Sequence, residues 1–69
     1  MDVRKCKLFV LTAETKNISR TAELTGYTQS GVSHTLKSLE DEVGVKLFTR
    51  DRYGVRLTPI GSDLLSYVK

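Results

Sequence analysis

Small polar side chains and one lysine recur in the middle of the sequence at a spacing that suits contact with DNA. At about 100° per residue of an α-helix, they share one face or lie at its edge. Glutamine can form two hydrogen bonds to adenine, and short hydroxyl side chains let a helix backbone approach a nucleic acid closely. The candidates for DNA contact on this helix, which Thr28 caps, are Gln29, Ser30, Ser33, His34 and Lys37.

Charge is sorted along the same predicted helix. Its leading part carries no carboxylate, which phosphates would repel, whereas the acidic residues 40–42 lie at the far end, clear of a groove. Simple solvation is the alternative interpretation for each polar residue. We favour DNA contact for Gln29 and the serines, and we assign Lys37 to a phosphate rather than to a base. For His34 both interpretations stay open.

A second group of candidates lies around a predicted β-turn at residues 51–54. Arg52 and Tyr53 stand at its tip, where a cationic loop beside a recognition helix could enter the adjacent minor groove or bind its phosphates. The alternative is an ordinary turn, since polar residues are common in turns without any such role. Arg50 could bind a phosphate or form an ion pair with an acid of the preceding helix. The two candidate partners for that ion pair are Glu40 and Glu42.

No arrangement of side chains in the sequence suits catalysis. The single histidine, the single cysteine and the scattered serines lack the spacing of a nucleophile with its base. One histidine and one cysteine also fall short of a structural zinc site, and no glycine-rich phosphate loop is present. Cys6 lies among apolar residues, which favours a buried hydrophobic position over a redox role. We therefore expect no enzyme activity, no metal and no cofactor in this domain.

The chain of 69 residues has the size of one small domain, with 39% hydrophobic and 28% charged residues. Its formal net charge of +3 gives a modest attraction to polyanions and proves nothing by itself. A single cysteine cannot form an internal disulfide and suits a reducing compartment. The longest apolar run, residues 8–11, is far shorter than the roughly 18 residues of a membrane span. We expect a cytoplasmic protein without a membrane segment.

Apolar residues at spacings of three and four predict the helices that position these candidates. The first helix covers about residues 2–15, with Asp2 as its N-cap. Leu8 and Leu11 fall outside its main apolar stripe, so they either widen the core face or contact a partner subunit. The stripe itself consists of Val3, Cys6, Phe9, Val10 and Ala13.

A second and a third helix follow, joined by a tight turn. Asn17 caps the second, over residues 18–25, which ends at Gly26. The third covers residues 29–43 and ends at Gly44. Two helices joined by a short turn that contains glycine are typical of a helix-turn-helix. The residues predicted to face inward are Ile18, Ala22 and Leu24 in the second helix and Val32, Leu36, Leu39 and Val43 in the third.

The remaining sequence changes period and predicts a hairpin followed by a helix. Residues 45–50 and 55–57 have the composition of strands on either side of the turn. Thr58 then caps a last helix that starts at Pro59. Together the elements predict a mainly α fold, a winged helix-turn-helix with a three-helix core, a β-hairpin wing and the start of a C-terminal helix. The apolar residues of that last helix are Ile60, Leu64, Leu65 and Val68.

The sequence also carries a pattern that extends over essentially all of the chain without gaps. Its members are Phe9, Ala13, Glu14, Arg20, Ala22, Thr28, Gln29, Val32, Ser33, Leu36, Leu39, Glu40, Gly44, Val45, Leu47, Phe48, Arg50, Gly54, Val55, Leu57, Thr58 and Gly61. The pattern resembles the N-terminal DNA-binding domain of LysR-type transcriptional regulators. The resemblance implies a winged helix-turn-helix over residues 1–58 and the start of a linker helix over residues 59–69, through which such domains form homodimers. We expect weak dimerisation of this chain.

In full-length members of that family a larger domain follows and senses a small metabolite. That domain is absent here, so the resemblance implies an effector only for it. The chain departs from the family pattern at Ser30 and Lys46, where proline is usual, at His34, where arginine is usual, and at Cys6 and Thr25, where leucine is usual. The DNA contacts that the resemblance carries over fall on Thr28, Gln29, Ser30, Ser33, His34, Arg50, Arg52 and Tyr53.

Sequence-specific binding of double-stranded DNA is the function that these residues predict. The helix at residues 29–43 would lie in the major groove, with the wing at residues 51–54 beside it. The alternative is a winged-helix module that binds a protein and no DNA. That alternative predicts apolar or acidic residues on the outer face of the third helix, whereas the sequence places neutral and basic residues there.

Overall fold

A computed structural model describes residues 2–68. Within them, four helices and one two-stranded antiparallel sheet follow one another in the predicted order, which confirms the mainly α winged helix-turn-helix. The sequence predicts a division of the chain into residues 1–58 and 59–69. Met1 and Lys69 lie outside the described residues, and the boundary at residue 58 stays a prediction. The elements are α1 (Val3–Thr15), α2 (Ile18–Thr25), α3 (Gln29–Val43), β1 (Phe48–Asp51), β2 (Gly54–Leu57) and α4 (Pro59–Val68).

Local capping explains why the helices begin and end where the sequence predicts. Each predicted N-cap accepts, through its side chain, the N–H of the residue three positions further on, at 2.8 to 3.0 Å. Gly26 and Gly44 end α2 and α3 at φ values of +78° and +79°, in the left-handed region that favours glycine. The four capping residues are Asp2, Asn17, Thr28 and Thr58.

The core lies where α1, α2, α3 and the hairpin meet. Phe9 of α1 and Phe48 of β1 are buried there with their ring centroids 5.5 Å apart, edge to face. The small Ala22 of α2 is buried in the same cluster as Val32 of α3, so the two helices of the helix-turn-helix pack against each other through this cluster. The other buried apolar residues are Leu8, Leu36, Leu39, Leu47 and Val55.

The apolar stripes predict the inward faces of the helices but misplace their edges. Leu8 is only 2% exposed, which places it in the core rather than at a partner contact, and Leu11 is half-buried. Val3, which the sequence assigns to the core, is 70% exposed. It lies in the first turn of its helix, where the neighbouring elements no longer cover it. The same reason applies to two further residues that the sequence places inward and that are exposed, Leu24 near the end of α2 and Val43 at the end of α3.

Two threonines, Thr12 and Thr21, are fully buried between α1 and α2. The hydroxyl oxygen of Thr21 lies 3.3 Å from that of Thr12 and 2.9 Å from that of Thr15. These contacts satisfy the hydroxyls, and within residues 2–68 no buried side-chain nitrogen or oxygen lacks a hydrogen-bond partner. Apolar periodicity does not predict such residues, because threonine counts as polar.

The strands β1 and β2 form an antiparallel hairpin that closes with Asp51 opposite Gly54. The two residues between them, Arg52 and Tyr53, form the tip, at the centre of the predicted turn. On the inner side of the hairpin, Val55 is buried against the helices. The hairpin thus forms the wing: β2 contacts α1 and α4, β1 lies across a groove from α3, and the tip lies near the turn between α1 and α2.

Thr58 joins the beginning of α4 to the segment that precedes β1. Its N–H donates to the carbonyl of Leu47 at 2.9 Å, and its hydroxyl donates to the carbonyl of Lys46 at 2.7 Å. β1 begins at Phe48, later than residue 45, where the sequence predicts it, because the hairpin register would pair Lys46 with Pro59, which already belongs to α4. Gly61 packs against the same segment, since a Cβ there would lie 2.3 Å from the carbonyl oxygen of Leu47.

Candidate nucleic-acid interface

Helix α3 turns its apolar side inward and its predicted contact residues outward. Val32, Leu36 and Leu39 are buried under the helix. The leading part of its outward side carries no carboxylate, so it can approach phosphates without repulsion. Of the predicted residues on this helix, Gln29, Ser30, His34 and Lys37 are exposed and Ser33 is half-buried.

The beginning of α3 is fixed by its cap. The hydroxyl of Thr28 accepts the N–H of Gly31 at 2.9 Å and lies 3.3 Å from the hydroxyl of Ser30. A Cβ at position 31 would lie 3.0 Å from the Thr28 Oγ1 atom, so a side chain there would crowd the cap. The cap holds Gln29 and Ser30 at the leading end, beside the N–H groups of the first turn, which favour a phosphate.

Lys37 forms a loose ion pair with Asp41, with 3.8 Å between its Nζ atom and the nearer carboxylate oxygen. The two side chains are 68% and 71% exposed, so water screens the pair and it stabilises the helix little. A phosphate can therefore replace the carboxylate of Asp41 as the partner of Lys37 at small cost.

The tip of the wing presents a cation together with an aromatic ring. The guanidinium carbon of Arg52 lies 5.4 Å from the centroid of the Tyr53 ring, within the range of a cation–π contact. Tyr53 is 77% exposed. The carboxylate of Asp51 accepts the N–H of Tyr53 at 2.8 Å and stabilises the turn. Both predicted tip residues are therefore available to a ligand.

Arg50 forms neither of the ion pairs that were the alternative to phosphate binding. Glu40 accepts hydrogen bonds from backbone N–H groups instead, and Glu42 forms an ion pair with Lys5 of α1. The hydrogen bond from Lys5 lowers the pKa of the Glu42 carboxyl below its usual value. Arg50 is exposed and has no ion-pair partner within residues 2–68.

Glu40 has a structural role that the sequence reasoning missed. Its Oε2 atom accepts the N–H of Leu47 at 2.7 Å and the N–H of Phe48 at 3.2 Å. These bonds tie the beginning of β1 to α3 and so set the position of the wing relative to the helix. One feature of the sequence points to this role: Glu40 lies one helical turn before Gly44, which ends the helix. The backbone that follows Gly44 turns back and comes within reach of the Glu40 carboxylate.

Two absences hold for the part of the chain that the structure describes. Residues 2–68 contain no group of three or more His, Cys, Asp or Glu side chains that could hold a metal ion. No helix among them has the length and apolar content that crossing a bilayer requires. Cys6, for which the sequence favours a buried hydrophobic position, is half-buried on α1.

Known proteins are similar to this chain in sequence and in fold. The family model for "Bacterial regulatory helix-turn-helix protein, lysR family" matches residues 3–62. The HTH-type transcriptional regulator HdfR of Yersinia enterocolitica is 42% identical over 69 residues, which are 100% of this chain and 24% of the relative. HdfR of Salmonella newport is also 42% identical over the whole chain, which covers 25% of that protein. The chain thus spans about a quarter of the length of these relatives.

Two solved structures superimpose closely on the fold. The DNA-binding domain of CbnR in complex with DNA gives a TM-score of 0.94 at 29% identity, over 99% of this chain and 78% of that one. The DNA-binding domain of BenM in complex with catB site 1 DNA gives 0.93 at 28% identity, over 99% and 76%. The family model, the relatives and the shared winged fold agree, and this chain belongs to the LysR family of bacterial regulatory helix-turn-helix proteins.

Proposed function

We propose that the chain binds double-stranded DNA, with α3 in the major groove and the wing beside it. The observation that carries the proposal is the outward side of α3, which is polar and, in its leading part, free of carboxylates. A major groove about 12 Å wide admits such a helix. The DNA complexes of CbnR and BenM, whose domains have the same fold, support the proposal.

Within this proposal, the contacts divide between base recognition and phosphate binding. Gln29 lies at the leading end of α3 and can form two hydrogen bonds to an adenine. Ser33 and His34 lie one turn further along the outward side. Lys37 and Arg52 bind phosphates, which sets affinity and orientation without reading sequence. The remaining proposed contacts are Thr28 and Ser30 at the cap and Arg50 and Tyr53 in the wing.

We also infer that the chain is the DNA-binding part of a longer transcriptional regulator, because it spans about a quarter of the length of its relatives. In the bacterial cytoplasm, where the chromosome lies, such a protein would bind DNA as a homodimer through α4. Ile60 and Tyr67 are 49% and 89% exposed on α4 and leave apolar surface for that contact. A small-molecule effector would bind the rest of the protein, and this chain would have neither cofactor nor enzyme activity.

Two measurements test the proposal. The chain is titrated with a random-sequence duplex at low salt, and bound sequences are then selected from a random duplex pool. We expect binding that weakens steeply as salt rises and a selected motif with two half-sites about one helical turn apart, or a multiple of it. A lack of binding at low salt would contradict the proposal and favour the protein-binding alternative, whose predicted apolar or acidic residues are missing from the leading part of the outward side of α3.

A further inference from the structure

A groove of about 500 Å³ separates the C-terminal half of α3 from β1. Beneath it lie the buried side chains of Leu36, Phe48 and Val55. Two of its polar lining residues, Lys46 and Thr49, have no role in the contacts proposed above. The full set of polar lining residues is Lys37, Glu40, Lys46, Thr49 and Arg50.

Positive charge exceeds negative charge in this groove. Three of its lining residues are cationic, and the single carboxylate, that of Glu40, already accepts two backbone N–H groups that partly offset its charge. Lys46 and Arg50 have no ion-pair partner within residues 2–68, and Lys37 has only its exposed pair with Asp41. The groove can therefore attract an anion.

The backbone at Lys46 is held in place from two sides. Its carbonyl accepts the hydroxyl of Thr58 at 2.7 Å, and the N–H of the next residue, Leu47, donates to Glu40 at 2.7 Å. Lys46 is itself exposed. Its ammonium group is therefore carried on a fixed base at the edge of the groove, free to bind a ligand there.

The geometry of DNA identifies the anion. With α3 in the major groove and the wing at the adjacent minor groove, as proposed above, the sugar–phosphate strand that separates the two grooves would pass over the gap between α3 and the hairpin. We propose that the groove holds this strand and that Lys46, together with the hydroxyl of Thr49, binds one of its phosphates. This inference rests on the proposed function, and the contact adds affinity and orientation without reading sequence.

The salt dependence of binding to a random-sequence duplex tests this contact, because log K falls with log salt by about 0.9 for each phosphate neutralised. We expect Lys46→Gln to reduce the slope of log K against log salt by about 0.9. A slope difference of that size corresponds to a roughly eightfold change in K between 1 M and 0.1 M salt, so we expect binding roughly eightfold weaker than that of the wild type at 0.1 M salt. Lys46→Arg keeps the charge and should keep the slope. Thr49→Val should weaken binding with the slope unchanged.

The matched control is Lys7→Gln, which removes the same charge from an exposed residue of α1 outside the groove. It should leave the slope at the wild-type value. Urea denaturation checks that every variant folds. We expect the Lys46 variants to fold because the Lys46 side chain is exposed and forms no ion pair within residues 2–68.

The outcomes separate this inference from the proposed function. If the wild-type chain does not bind duplex DNA, the proposed function is wrong and the groove has no strand to hold. If the wild type binds and Lys46→Gln keeps its slope, only the groove contact is wrong, and the groove is open to an acidic protein segment instead. If Lys7→Gln lowers the slope as much as Lys46→Gln does, the change reflects only the lower net charge of the chain, and the inference is wrong as well.

Discussion

Gly54 of the wing faces Lys16, which lies between α1 and α2, at a distance that admits no side chain. A Cβ on Gly54 would lie 2.3 Å from the carbonyl oxygen of Lys16. The same oxygen accepts the N–H of Val55 at 3.2 Å, and Lys16 is itself left-handed at φ +58°. The turn between α1 and α2 therefore holds the wing beside the helices.

We predict that Gly54→Ala displaces the wing and weakens binding to every DNA sequence. The control is Gly44→Ala, since both glycines have positive φ but a Cβ at Gly44 would meet no atom within 4 Å. Both variants should lose about 1 to 2 kcal/mol of unfolding free energy through left-handed strain, with a further loss in Gly54→Ala from the clash. Urea denaturation and duplex titration measure the two effects. Equal DNA affinity in the two variants would show that the wing does not depend on this contact.

A second prediction separates base reading from phosphate binding. Gln29→Ala should reduce discrimination between a selected site and a random duplex by about 1 to 3 kcal/mol, because the two hydrogen bonds to a base are lost. Lys37→Ala and Arg52→Ala should weaken both duplexes by similar factors. Competition titrations with the two duplexes measure the ratio. Unchanged discrimination in Gln29→Ala would remove this residue from the base contacts.

A third prediction concerns the link between α3 and β1. Glu40→Ala leaves the N–H groups of Leu47 and Phe48 without their acceptor and should lower the unfolding free energy by about 1 to 3 kcal/mol. The control is Glu23→Ala, an exposed carboxylate of α2 whose ion pair with Arg20 spans 3.5 Å. Its effect should stay within about 0.5 kcal/mol. Similar losses in both variants, measured by urea denaturation, would argue against a structural role for Glu40.

A fourth prediction concerns the buried hydroxyls between α1 and α2. Thr21→Val leaves the hydroxyl of Thr12 without its partner and should lower the unfolding free energy by about 1 to 3 kcal/mol. The double variant Thr12→Val/Thr21→Val should lose less than the sum of the single variants, because both polar groups are then removed. A double-mutant cycle in urea measures the coupling. Strict additivity would mean that the two hydroxyls do not stabilise each other.

Helix boundaries could be predicted from the sequence because caps depend on residues close together in the chain. Asn17, for example, accepts the N–H of Arg20 three positions on. The candidate contacts on α3 were predictable for a similar reason, since periodicity alone decides which residues share a helix face. Periodicity does not show where a neighbouring element stops covering a helix. For this reason Val3 was placed in the core and the burial of Leu8 was left open.

Contacts between distant residues account for what the sequence did not predict. The ion pair offered for Arg50 does not form, because Glu40 lies within reach of the N–H groups of Leu47 and Phe48, seven and eight positions on. That choice depends on the path of the chain after Gly44, which no local pattern encodes. The DNA contacts themselves depend on a second molecule and stay predictions.

Thr58 bonds to four backbone groups at once: the carbonyls of Lys46 and Leu47 before β1, and the N–H groups of Gly61 and Ser62 in α4. This residue therefore connects α4 directly to the segment that leads into β1 and the wing tip. A displacement of α4 would therefore reach the backbone before β1 through these bonds, in addition to the packing of Leu64, Leu65 and Val68 on the core.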